Sequence, residues 1–382
     1  MTSKKENIVV GIDASRNRSG GAKSHLIGIL SNIDFSKSDI YKVHVWSYRS
    51  LLDSLPENKF IVKHYTPELE KSLIRQIFWQ FLHLPRELKK FNCNILFSSD
   101  ASTFCRFDPM VVLSQDLLSY EPGIIRQYAL SKELPRLLLI LFLQNMAFRS
   151  SKGVIFLTNY ASNIIQKSCG KLSEYTVIPH GSDKEYQDVH MNKKLKLHNT
   201  TIKCLYVSNV EIYKYQWIVV QAIAYLREKG YDISLSLIGD GNGKAKDKLN
   251  HQINKYDKDN RFINFFGFLD KNKILSKFEE SDIFIFASGC EAFGIALLEA
   301  MSCGAPIASS NRSCIPELLK DGGVYFNPSN SLSIAKSVES LINNNSLRSQ
   351  MSGRAKYLSN QYSWEKCSTD TWKYISYVYK KK

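Results

Sequence analysis

Long hydrophobic runs are missing from this chain. The longest unbroken apolar stretch is Leu137-Leu138-Leu139-Ile140-Leu141-Phe142-Leu143, far short of the ~20 residues that a membrane-spanning helix needs. A hydrophobic leader is missing too. Polar residues dominate up to Asn7 and only Ile8-Val9-Val10 follows, so no signal-peptide core is expected and a cytoplasmic location is. Proline is scarce, at 10 residues in 382. With 44% hydrophobic residues, this excludes a collagen-like or disordered chain and leaves material for two cores. The eight cysteines are scattered, with no C-x-x-C pair and no Cys/His ligand spacing. Neither a zinc site nor a disulfide framework is expected, and most of them read as small buried hydrophobes. No short repeat and no low-complexity tract occurs.

Acidic residues are the minority. Lys and Arg number 51 against 36 Asp and Glu, a formal charge of +15. Both halves share the excess, with 23 basic against 15 acidic residues up to His180 and 28 against 21 after it. An anionic partner is implied: a phosphorylated substrate, an anionic membrane face or nucleic acid. No nucleic-acid recognition motif accompanies the charge, so nucleic acid is not expected as a partner.

What is present is alternation. Strand-like segments at Ile8–Ile12, Tyr41–Trp46, Phe60–Val62, Asn94–Phe97, Met110–Leu113 and Gly153–Leu157 are separated by helical patterns, notably Pro67–Leu82 and Glu133–Phe148. A second series has strands at Ile202–Val207, Ile233–Ile238, Phe262–Phe265, Ile283–Ala287, Pro306–Ser309 and Val324–Phe326. Its helices cover Trp217–Lys229 and begin near Gly294, Ser331 and Trp364. The pattern predicts an α/β fold of two Rossmann-like domains facing each other across a cleft. The expected boundaries are 1–182, a lysine-rich linker at 183–200, and 201–363, with a last helix at about 364–382 packed back on the first domain. Ligands of such folds bind where strands end and helices begin.

The most informative strand-to-helix turn is Ala287-Ser288-Gly289-Cys290-Glu291-Ala292-Phe293-Gly294-Ile295-Ala296-Leu297-Leu298-Glu299. A helix starting after Phe293-Gly294 offers free N–H groups and a positive dipole end to a phosphate. Glu291 precedes those donors. Glu299 follows on the helix within an apolar run, where a carboxylate needs a partner. The competing reading is a surface helix with two solvated glutamates. Glu291 and Glu299, followed by Ala300-Met301-Ser302-Cys303-Gly304-Ala305-Pro306, resemble the signature of the retaining glycosyltransferases of family 4, which have the GT-B fold. The likeness extends through Ile315-Pro316-Glu317-Leu318, Gly322-Gly323-Val324-Tyr325-Phe326, Tyr362-Ser363-Trp364-Glu365-Lys366 and Val177-Ile178-Pro179-His180-Gly181.

This resemblance implies a hexosyltransferase that uses a nucleoside diphosphate sugar as co-substrate, with no separate cofactor and no metal. It implies an acceptor role for the first domain and donor binding by the second. Glu291 would hold the donor sugar, Glu299 the ribose, and Phe293, Gly294 and Ile295 the phosphates. Lys214 matches the family's cation for the departing diphosphate, while Asn209 stands where the family has Arg. Gly239, in Gly239-Asp240-Gly241, would border the donor. Read alone, that turn lacks the spacing of a dinucleotide fingerprint. Gly20-Gly21 would let a phosphate approach the first helix, the alternative being an ordinary turn. Gln115 and Asp116 occupy the family's His-Asp position beside the reacting sugar and would contact the acceptor, with a helix N-cap as the other reading of Asp116. Asp257-Lys258-Asp259 resembles a metal-binding D-x-D but reads as a polar loop.

The apolar stretch Leu134–Phe148, with Arg126, Lys132, Arg136, Arg149 and Lys152 around it, reads as a core helix. The alternative is a helix on an anionic membrane, placing the enzyme peripherally on the inner face of the cytoplasmic membrane. The acceptor implied is a glycan or lipid-linked oligosaccharide, as in lipopolysaccharide O-antigen or capsule assembly. A GT-B nucleotide-sugar 2-epimerase and a non-catalytic nucleotide-sugar-binding module are the rival readings.

Overall fold

The computed structural model describes residues 7–18, 20–128, 131–189 and 201–381. Contacts divide the chain into two compact units, Met1–Gly181 with Tyr362–Lys382, and Ser182–Gln361. Each is built on a parallel sheet.

In the first unit the strands are β1 (Ile8–Asp13), β2 (Ile40–Ser47), β3 (Ile61–Tyr65), β4 (Ile95–Ser98), β5 (Met110–Leu113), β6 (Gly153–Phe156) and β7 (Tyr175–Val177), in the order β3-β2-β1-β4-β5-β6-β7. Central β4, β5 and β6 are buried along their whole length, as a sheet covered on both faces requires. The order reverses direction between β1 and β4. The crevice of this sheet therefore lies at the carboxyl ends of those two strands.

The second unit has β8 (Ile202–Val207), β9 (Ile233–Ile238), β10 (Ile263–Phe265), β11 (Ile283–Phe286), β12 (Ile307–Ser310) and β13 (Val324–Phe326), in the order β10-β9-β8-β11-β12-β13. Its reversal falls between β8 and β11, which pair directly.

The final helix, Trp364–Lys380, belongs to the first unit. Ser368 and the Trp372 indole both donate to the Ile29 carbonyl. Gly28 admits Trp364 there, because a Cβ at that position would lie 2.3 Å from the indole.

Several expectations need correction. The helix expected over Pro67–Leu82 is broken into a 3-10 turn (Pro67–Glu70), a short helix (Leu73–Phe78), a π-helical turn (Trp79–His83) and a further helix, Leu84–Lys90. Lys71 adopts an extended conformation and ends the first piece, and Pro85 sits in the first turn of the last, where its missing N–H costs nothing. Within the expected linker, Lys184–Asp188 forms a helix of the second unit, with Tyr186 buried against Phe278. The rest of that segment, 190–200, lies outside the described residues. The core placement of the Leu134–Phe148 stretch is also wrong. Its helix (Leu134–Ser150) buries only Leu137, Gln144, Ala147 and Phe148, and exposes Leu138, Leu139 and Phe142. All eight cysteines are buried and free.

Candidate functional site

At the reversal point of the second sheet, two segments far apart in sequence meet. After β8 the chain passes Ser208-Asn209 into a 3-10 turn, Ile212–Lys214. After β11 it passes Ser288-Gly289 to Glu291. The Gly289 N–H donates to the Tyr213 carbonyl at 2.7 Å, and the absence of a side chain lets the two turns approach, since a Cβ on Gly289 would sit 2.8 Å from the Tyr215 ring. Across this junction the Lys214 ammonium forms an ion pair with the Glu291 carboxylate. Both side chains are largely enclosed, at 12% and 14% exposure, and the Lys214 ammonium lies 5.3 Å from the Tyr213 ring centre. Enclosure raises the strength of such a pair and the cost of leaving either partner alone.

The surroundings hold both residues in place. Ser313, in the turn after β12 with a left-handed backbone, accepts from the Glu291 N–H and donates to its carbonyl, both at 3.0 Å. Tyr206 donates to the Lys214 carbonyl at 2.6 Å. The Gln216 amide bonds Ser208 and the Asn209 carbonyl, fixing the loop while the Asn209 residue stays exposed. Gly239, at φ +119°, packs its turn on that loop, because a Cβ there would come within 2.0 Å of the Ser208 oxygen.

Beyond Glu291 the backbone turns at Gly294 (φ +95°) into the helix Ile295–Ser302. The Gly294 carbonyl takes the N–H groups of Leu297 and Leu298. The first turn at Ile295 and Ala296 therefore carries the outward N–H groups and the positive end of the dipole. Phe293 is buried, so only its backbone remains for a ligand. Further along, Glu299 receives a hydrogen bond from the Tyr186 hydroxyl. Desolvation, with the field of Asp183 added, pushes its carboxyl up to about 8 despite that bond and the nearby Lys271. Some of its surface remains open. Tyr186 and Ser313 escaped the sequence analysis. One lay in a segment read as linker, and the other carries a hydroxyl with no motif around it.

The first unit has its own set at the β1/β4 reversal. Gly20 and Gly21 open the helix Gly20–Ser31, and nothing lies within 4 Å of where a Gly20 Cβ would be, so packing does not demand glycine at 20. Gln115 donates to the Ser99 carbonyl at 2.8 Å. Asp116 does not cap a helix. It accepts from the Leu118 N–H two residues on, at 3.0 Å, in an irregular stretch. Burial raises the carboxyl of Asp116, and burial together with the field of Asp116 raises that of Asp100. Desolvation lowers the neighbouring Arg16 guanidinium against the fields of Asp100 and Asp13. Arg16 and Asp100 went unnoticed in the sequence, where each is one polar residue in a polar turn.

Asp257 is explained without a ligand. Its carboxylate accepts from the N–H groups of Arg261 and Phe262, each at 2.8 Å, and of Ile263. Among the described residues no group of three His, Cys, Asp or Glu is placed to hold a metal ion.

Residues 190–357 match the family described as glycosyl transferases group 1. The chain is 30% identical over 110 residues to O-antigen chain mannosyltransferase B of Escherichia coli. That stretch is 29% of this chain and 29% of the relative, so the match spans less than a third of either protein. Among solved structures, sucrose-phosphate synthase from Thermosynechococcus elongatus superposes with a TM-score of 0.79 at 12% identity, over 98% of this chain and 100% of that one. HepE from Anabaena, in complex with UDP-glucose, gives 0.72 at 18% identity over 97% and 100%. These likenesses show the fold, two parallel-sheet α/β units of the GT-B kind, and the stretch that matches the glycosyl transferases group 1 model falls in the second unit.

Proposed function

We propose that the protein transfers a hexose, with retention of configuration, from a nucleoside diphosphate sugar to a hydroxyl of a glycan in surface-polysaccharide assembly. The observation that carries this reading is the enclosed Lys214–Glu291 pair at the β8/β11 reversal, immediately before the helix start at Gly294-Ile295. A cation and a carboxylate next to a helix start, whose first N–H groups have no intrahelical partner, support a diphosphate sugar as ligand. The UDP-glucose bound by HepE supports a nucleotide sugar as donor, and the Escherichia coli mannosyltransferase supports a hexose and an O-antigen setting.

In this mechanism the diphosphate rests on the N–H groups of Ile295 and Ala296, with Lys214 against its oxygens. Glu291 accepts hydrogen bonds from sugar hydroxyls and Glu299 from the ribose. Asn209 contributes neutral hydrogen bonds where a second cation would be expected, leaving Lys214 and the helix dipole to meet the growing charge. The bond from the anomeric carbon to the phosphate oxygen breaks. The acceptor oxygen bonds to that carbon, and its proton passes to the departing phosphate. Fixed dipoles and a lysine meet the charge, so the reading needs no metal ion. Gln115 and Asp116 would position the acceptor.

Thermal unfolding with UDP, GDP and ADP tests the donor site. At 100 times its Kd a nucleotide adds about 2.7 kcal/mol to the native state, a midpoint shift of several degrees. Mannose and glucose donors of the responding base are then assayed with lipid-linked glycans. If a nucleotide binds but no sugar moves to any acceptor, the non-catalytic binding module replaces the transferase.

A further inference from the structure

The last helix is tied to the loop 32–39 of the first unit at two points, and a cavity of about 570 Å³ opens between them. One point is the Ile29 carbonyl, which takes Ser368 and the Trp372 indole. The other is the ion pair of Lys380 with Asp39 at 2.7 Å. About 12 Å of helix separates Trp372 from Lys380. Over that distance the helix turns Ser376 and Lys373 to the loop, the loop answers with Asp34 and Ser38, and no large side chain closes the gap. The volume falls in the range of small-molecule sites, about 300–1,000 Å³.

The walls are chemically mixed. Thr369, Lys373, Ser376 and Lys380 form one stripe of the helix and all line the cavity. Ser376 is 6% exposed and makes no hydrogen bond among the described residues. A buried hydroxyl without a partner is uncommon and costly. Lys37 and Lys380 are held by Asp34 and Asp39, whereas Lys373 has no ion pair among the described residues. Ile33 and the edge of Trp372 supply an apolar patch. The cavity also lies away from the chemistry proposed above. The Asp39 carbonyl takes the Ile8 N–H at the start of β1, so this is the amino edge of the sheet. The length of β1, roughly 20 Å, separates it from the carboxyl edge, where Gly20 and Gln115 stand.

We infer that this cavity is a second, non-catalytic site that binds a sugar carrying one anionic group. The anion meets Lys373 and the Ser376 hydroxyl, ring hydroxyls donate to Asp34 and Asp39, and a C–H face of the ring lies on Ile33. The wall chemistry selects this class. An apolar ligand would leave Lys373, Ser376 and two carboxylates without partners. A polyanion such as a nucleoside diphosphate would set its remaining charge against Asp34 and Asp39, and a neutral sugar would leave Lys373 unmatched. A free sugar phosphate and a uronic acid residue of a glycan share the required chemistry. The inference stands apart from the transferase reading, because neither the donor residues nor Gln115 and Asp116 line the cavity.

Titration calorimetry of the full chain tests the inference, with the 1-phosphates of glucose and mannose, glucuronate, the two neutral hexoses and inorganic phosphate as probes. At least one anionic sugar should bind about tenfold or more tighter than the neutral hexoses and than phosphate alone. A preference for the 1-phosphates identifies a free sugar phosphate as the source, and a preference for glucuronate identifies a glycan residue. Lys373→Glu should weaken that binding at least about tenfold, and Ser376→Leu, which fills the cavity, should abolish it. Lys373 is exposed, so its variant should unfold at the wild-type midpoint. Lys214→Ala, in the other unit, should bind the sugar as wild type does, which separates this site from the donor site. Nucleotide binding to Lys373→Glu then tests the donor reading by itself. The inference is overturned if no anionic sugar exceeds the neutral hexoses and phosphate, or if Lys373→Glu binds as well as wild type. Loss of the sugar in Lys214→Ala would likewise overturn it, by placing the ligand in the donor site.

Discussion

If Glu299 takes the ribose as proposed, donor affinity should rise with pH, because its carboxyl must give up a proton before it can accept two ribose hydroxyls. In the unliganded protein desolvation pushes this carboxyl up to about 8, so at neutral pH it is mainly the acid. If only the carboxylate form binds, the apparent Kd equals the intrinsic Kd divided by the ionised fraction. That fraction is about one half at pH 8 and about one tenth at pH 7, so affinity drops close to tenfold per pH unit below 8, or ~1.4 kcal/mol. The same shift bears on stability. The native state holds the proton over the range from the ordinary value of 4.5 up to about 8, while the unfolded chain releases it. Without ligand, this contribution to stability therefore declines as pH rises through that window. The assay is titration calorimetry with a nucleoside diphosphate sugar, whose diesterified phosphates do not ionise near neutrality. Two buffers of different ionisation enthalpy report the protons released. Close to one proton per ligand is expected at about pH 7, and none from Glu299→Gln, whose affinity should be flat with pH. Wild-type binding with no proton release, or a pH slope that survives in Glu299→Gln, refutes the reasoning.

Other outcomes follow from the same geometry. Lys214→Ala should lower kcat by about 10²–10³, the usual loss for one group that meets transition-state charge; kcat with saturating donor checks it, and an unchanged kcat removes Lys214 from the chemistry. Gly239→Ala should weaken nucleotide binding, because its Cβ would lie 2.0 Å from the Ser208 oxygen at a left-handed φ and displace the Asn209 loop; the nucleotide-induced thermal shift measures it. Gly28→Ala should destabilise the first unit by about 1–3 kcal/mol, since the added methyl strikes Trp364; denaturant unfolding reports it. His25 is buried and desolvation lowers its ring to about 3 from 6.5, so its contribution to stability is lost as pH falls from 6.5 towards 3, by about 2 kcal/mol at pH 5. A midpoint that changes equally with pH in wild type and His25→Phe would contradict that.

The second unit was the more legible half, and the reason is physical. Its strands are short apolar runs bounded by turn residues, and Ile202–Val207, Ile233–Ile238 and Val324–Phe326 match their expected limits. Its candidate residues stand in strand-to-helix turns, which the fold rule already marks as the place for ligands. Even so, the contact between Lys214 and Glu291 was not readable, because it depends on β8 and β11 being neighbours and on Gly289 letting two turns close together. The strand order at the sheet's reversal supplies that information, and a one-dimensional pattern does not carry it.

Where the first unit departed from expectation, side chains play two parts at once. The stretch Leu134–Phe148 is apolar nearly all round, a pattern that for most helices means burial. Here Gln144 faces inward and bonds Ser102 while Leu138 and Phe142 face outward, so the hydrophobic count pointed to the wrong face. Likewise Gln80, one polar residue in an apolar helical pattern, closes over Asp13 and Ser15, and the π-helical turn at Trp79–His83 belongs to the segment that brings it there. In both segments an inward glutamine is hydrogen-bonded at the carboxyl edge of the sheet, and the displaced apolar residues are left outside beside lysine and arginine. A helix that served only to cover the sheet would be arranged the other way, with the glutamine in water and the phenylalanine in the core.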